Sequence, residues 1–137
     1  MGTLRPNFIV GIGSSAGGLN ANKALFDALP SELGMAFVVV AHLMPTSNSQ
    51  LVEILSRHTK MKVMLASQAM PIWANHVYVI PPNADLTIES YVFKIVTPRI
   101  TRNNQVDLLL TSLAEDMGAN AIGIILSGYG GDGAEGC

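Results

Sequence analysis

The sequence is nearly free of cysteine. Its single thiol is Cys137, the last residue, so no disulfide can form within the chain. That suits a reducing compartment, and a cytoplasmic location is expected. Charge is also scarce. Only 13% of the 137 residues are charged and the formal net charge is −2, which leaves no electrostatic basis for binding nucleic acid or an anionic membrane. The aromatic fraction of 6% is too low for a base-stacking platform. Long hydrophobic runs are missing as well. The longest, Met35 to Ala41, falls far short of the ~20 residues of a membrane helix. The opening Met1-Gly2-Thr3-Leu4-Arg5-Pro6 has no signal-peptide character. No histidine or cysteine pair has metal-ligand spacing, and no Gly-Lys-Ser/Thr marks a P-loop. No metal site, no nucleic acid binding and no membrane insertion are therefore expected.

What is present is apolar and periodic. The hydrophobic fraction of 49% is ample for one packed domain over residues 1–137. Phe8 to Ile12 is a short β-branched run bounded by glycine, and Met35 to Ala41 carries three consecutive valines. Both read as strands buried on two faces. Helices are expected over Leu19 to Leu29, ended by Pro30, around Leu51, Val52, Ile54 and Leu55, and over Val106 to Met117. Further strands are expected at Lys62 to Leu65, His76 to Ile80 and Ala121 to Leu126. Asp85 to Glu89 and Val92 to Thr97 read as a hairpin turning at Ser90-Tyr91. The fold class is α/β: a doubly wound, mostly parallel, Rossmann-like sheet with helices on both faces and a small antiparallel hairpin insertion. Such a domain normally continues past Ala134 with a helix and strand, so truncation at the C-terminal end is expected.

In open α/β sheets, sites form beyond the carboxyl ends of the strands. Three such ends carry reactive residue types. The first is Gly13-Ser14-Ser15-Ala16-Gly17, a G-x-S-x-G string with Ser15 at its centre. A serine on a sharp strand-to-helix turn projects its Oγ next to the free N–H groups of a helix start, which can hold an oxyanion. The plainer reading is a glycine turn in which Ser14 or Ser15 caps the helix. The string also fits Gly11-x-Gly13-x-x-Ala16, a dinucleotide fingerprint. That fingerprint wants an acid at the end of the second strand, and Ala41-His42-Leu43 has none. His42 is the second candidate, a general base at the edge of its strand; the alternative is a histidine bonded to backbone. The third is Asp132, in a loop with glycines at 128, 130, 131 and 133. It would orient the His42 imidazole, or be an ordinary turn aspartate. His58 reads as a solvated helix end and His76 as the start of a strand. The chain order Ser, His, Asp differs from that of α/β-hydrolases and disfavours that fold.

At these residues the sequence resembles the CheB methylesterase family. Phe8 to Gly18 is similar to the family's nucleophile segment, Val38 to Pro45 to its histidine segment, and Leu126 to Gly136 to its aspartate segment. The resemblance implies Ser15 as nucleophile, His42 as base and Asp132 as orienting acid. It implies oxyanion donors on the backbone near Ala16 and Tyr129, with Ser14, Gly17 and Gly130 about the pocket. Ala16 and Tyr129 stand where threonine and methionine are common in the family. The implied activity is hydrolysis of glutamate γ-methyl esters on chemoreceptor signalling helices, with related glutamine deamidation. The resemblance implies no metal or organic cofactor, and the implied partner is a methyl-accepting chemoreceptor or related sensory protein. No receiver domain is expected, and the phrasing around Arg57 to Lys62 and Asn75 to Asn83 resembles versions fused to methyltransferase and sensor domains. Two rival readings stay open: a catalytically silent signalling module on the same fold, and a nucleotide-binding domain.

Overall fold

The computed structural model describes residues 5–14, 18–41, 47–100 and 105–126. Strand β1 (Ile9–Ser14) leads into helix α1 (Leu19–Ala28), strand β2 (Ala36–Ala41) and helix α2 (Asn48–Ser56). Then come β3 (Lys62–Leu65), β4 (His76–Val79), β5 (Asp85–Glu89) and β6 (Val92–Val96). Helix α3 (Gln105–Met117) and a 3-10 turn at Gly118–Asn120 precede β7 (Ala121–Leu126). Five strands form one sheet in the order β3-β4-β2-β1-β7, and every pairing in it is parallel. The expected doubly wound α/β architecture is therefore present, with β5 and β6 as a separate antiparallel pair.

The two-residue period of the strands sorts the core into two layers. Val10, Ile12, Phe37, Val39, Val77 and Val79 pack with Phe26 of α1 and Leu51 and Leu55 of α2. On the opposite face Ile9, Val38, Val40 and Tyr78 pack with Leu109 and Leu113 of α3 and with Leu86, Ile88 and Phe93 of the hairpin. The hairpin thus shares a layer with α3. Ser112 joins the two: its Oγ accepts from the Ile88 N–H at 2.7 Å and donates to the Ile88 carbonyl at 3.0 Å. The hairpin turn places both Ser90 and Tyr91 at positive φ, 52° and 65°. That geometry matches the twist of the strands it joins. Both Asp116 carboxylate oxygens accept from the Ser90 N–H at 3.0 Å.

Strand β1 runs two residues beyond the apolar stretch that predicts it, through Gly13 and Ser14. The glycines explain why. A Cβ at Gly11 would lie 2.9 Å from Leu110 Cδ2 and Leu113 Cδ1, and one at Gly13 only 2.5 Å from Val106 Cγ1. Helix α3 rests directly on the backbone of β1. The Gly11-x-Gly13 spacing that suggests a dinucleotide turn lies inside the strand and makes room for a helix. At the edge of the sheet, Ile122 and Ile125 of β7 are both exposed.

Candidate active site

The chain leaves β1 toward β2 with α1 on one face, then returns past β1 to β7 from α3 on the other. This reversal makes the carboxyl end of β1 the topological switch point, where open α/β sheets form their sites. The register there is specific. Ser14 pairs with Ala41 of β2 and with Leu126 of β7, so three strands end level with one another. Neighbouring strands are about 4.8 Å apart. Ser14, Ala41 and Leu126 therefore lie side by side at adjacent strand ends.

The expected nucleophile Ser15, base His42 and acid Asp132 lie outside the described residues, as do Ala16, Gly17, Tyr129 and Gly130. Ser14 is described. It is 2% exposed, and its Oγ accepts from Asn22 Nδ2 at 2.7 Å. The same Nδ2 donates to the Gly18 carbonyl at 2.9 Å. The first residue of α1 is preceded by Gly18, which makes no side-chain cap, so Ser14 does not cap this helix. Asn22 ties the last residue of β1 to the first turns of α1, on either side of residues 15–17 in the sequence. Asparagine is a poor helix former, so its presence inside an expected helix is the one sequence signal for this link; its burial shows only in the fold.

Helix α2 begins with a capping box. Ser47 Oγ accepts from the Gln50 N–H and the Gln50 side chain accepts from the Ser47 N–H. Asn48 Nδ2 donates to the Ile80 carbonyl at 2.6 Å, fixing the start of α2 to the end of β4. Gln105 Nε2 donates to the Ala84 carbonyl at 2.7 Å, fixing the start of α3 to the same loop. A cleft of about 210 Å³ lies among these groups, between Ala41, Pro82 and Arg99. The sequence assigns none of its polar residues a part in a site.

The other two histidines have structural partners. His58 Nδ1 lies 2.8 Å from Asp27 Oδ1, joining the ends of α2 and α1 at the opposite edge of the sheet. His76 Nδ1 is 2.8 Å from the Ala74 carbonyl, and its ring stacks on Tyr78. Among the described residues no cluster of His, Cys, Asp or Glu could hold a metal ion, and no helix is long and apolar enough to cross a membrane.

The sequence profile of the CheB methylesterase family matches residues 10–137. The chain belongs to the CheB methylesterase family. A relative from Leptospira interrogans is 34% identical over 128 residues, 91% of this chain and 66% of that protein. A Xanthomonas oryzae relative named protein-glutamate methylesterase/protein-glutamine glutaminase 2 is 35% identical over 134 residues. That match spans 93% of this chain but 37% of the relative. The crystal structure of the Thermotoga maritima CheB methylesterase catalytic domain superposes with a TM-score of 0.77 at 27% identity, covering 94% of this chain and 71% of that one. The sheet order and opposed helices described above are thus those of a CheB catalytic domain.

Proposed function

We propose that this chain hydrolyses glutamate γ-methyl esters on a protein, with Ser15 as nucleophile, His42 as general base and Asp132 as the acid that orients His42. One observation carries the reading: Ser14, Ala41 and Leu126 end level on three adjacent strands at the switch point. Each is followed at once by a segment holding one member of the triad. The family match over residues 10–137 supports the chemistry.

In this reading Ser15 Oγ adds to the ester carbonyl as His42 takes its proton. Backbone N–H groups near Ala16 and Tyr129 hold the oxyanion, with the start of α1 contributing its positive dipole end. His42 returns the proton to the departing methoxide, releasing methanol. Water then attacks the acyl-enzyme and restores Ser15, leaving a glutamate carboxylate. With glutamine in place of the ester, the same steps release ammonia. The substrate is a methylated helix of a chemoreceptor or related sensory protein.

A fluorophosphonate probe tests the nucleophile directly. Peptide mass spectrometry is expected to find the adduct on Ser15, with labelling abolished in Ser15→Ala and slowed by about 10³-fold or more in His42→Ala. An adduct on another serine, or labelling indifferent to both substitutions, would reject the assignment.

A further inference from the structure

The cleft beside Ala41 has a use that the ester chemistry leaves unfilled. Ala41, which lines the cleft, directly precedes His42 in the sequence. Its polar walls are largely committed. Asn48 and Gln105 spend their amide N–H groups on the carbonyls of Ile80 and Ala84. The loop between them contains Pro81 and Pro82, which fix their own φ angles and stiffen it. Arg99 differs. Among the described residues it is the one charged residue lining the cleft, it is exposed, and its guanidinium has no hydrogen bond or ion pair with them. Its backbone, by contrast, is anchored twice. The Arg99 N–H donates to the Asn83 carbonyl at 3.0 Å, and the next N–H, of Ile100, donates to the buried Asp85 carboxylate at 2.8 Å. A guanidinium with five donors is thus carried on a fixed backbone at the rim of a polar cleft. Carboxylate is the group its planar fork fits best in a protein substrate.

We propose that this cleft is a carboxylate subsite, in which Arg99 receives an acidic side chain of the substrate protein next to the methylated glutamate. The proposal rests on the esterase reading for the nature of the substrate, and adds a rule for which esters are taken. Arg99 is a specificity-determining residue here and takes no part in bond making.

Binding to the Ser15→Ala chain, which cannot consume the ester, tests the subsite. Two fluorescein-labelled peptides carry glutamate γ-methyl ester and differ only in having glutamate or glutamine beside it. At low salt the acidic peptide is expected to bind about tenfold tighter, a gap that shrinks at about 0.5 M salt. Adding Arg99→Gln should bring the two Kd values together. Arg99→Lys should keep part of the gap, and Arg99→Glu should reverse it. Matched thermal melts confirm that each variant folds. A gap that survives Arg99→Gln, equal binding of both peptides by the Arg99 chain, or binding of neither overturns the subsite. Methanol release by the unsubstituted chain reports separately on the esterase. A chain that discriminates through Arg99 without releasing methanol keeps the subsite and loses the enzyme, and the converse result does the opposite.

Discussion

Asn22 and Ser14 are each hard to explain alone and simple together. A buried amide inside a helix and a buried hydroxyl at a strand end would each cost free energy unpaired, and the 2.7 Å bond joins them. Ser14→Ala should destabilise by about 1–2 kcal/mol, because Asn22 Nδ2 loses a partner in a dry site. Combining it with Asn22→Leu should recover part of that loss, since both polar groups are then gone; a double-mutant cycle by urea unfolding measures the coupling. Gly13 is equally constrained. Gly13→Ala drives a methyl into Val106, a stiff residue at the start of α3, and should cost about 1–3 kcal/mol. Tyr78 sets a pH limit. Burial pushes its phenol above the ordinary 10.0, while the Trp73 N–H, which the phenol oxygen accepts, pulls the other way. The folded chain therefore holds this proton longer than the unfolded chain does. Its contribution is complete below pH 10 and is lost as pH climbs through the folded-state value. Urea unfolding at a series of alkaline pH values should show a shallower decline in Tyr78→Phe than in the parent.

Among the elements, most of the fold was legible before the structure. Valine runs marked β2, the Leu51-Leu55 spacing marked α2, and the polar Ser90-Tyr91 step marked the hairpin. Their periods are local properties of the chain. What stayed hidden depends on contacts between distant segments. Glycine is a turn residue, so the sequence reads Gly13 as the start of a turn, whereas Gly11 and Gly13 both lie in the strand and admit α3. The strand order could not be read from patterns that are alike in β1, β2 and β4. Nor could the seating of the hairpin on α3, which Ser112 secures through one hydroxyl. Ser112→Ala leaves the Ile88 N–H without that partner and should cost about 1–3 kcal/mol. Amide exchange should report faster opening of β5 than of β1 in that variant.

For the whole molecule, the arrangement that matters is the level carboxyl edge. The sequence placed reactive residues after three separate strands; the sheet order makes those strands neighbours, with β1 between β2 and β7. Two helices on one face and one on the other put the switch point at β1. Nothing local in the sequence encodes this, and the family resemblance anticipated it only through the residues that carry the chemistry. The sequence does not show Asn48, Arg99 and Gln105 as one site for the same reason: they come from three segments, and the cleft exists only once β4, α2 and α3 have packed.

The central claim is that this edge cleaves methyl esters through Ser15. Methanol release from a methylated receptor signalling fragment, compared between the chain and its Ser15→Ala variant, tests it most directly. Release by the parent and only background release by the variant are expected, with matching thermal melts for both. Equal release by the two would contradict the nucleophile assignment, and no release by a folded parent would contradict the assignment of esterase activity to this chain.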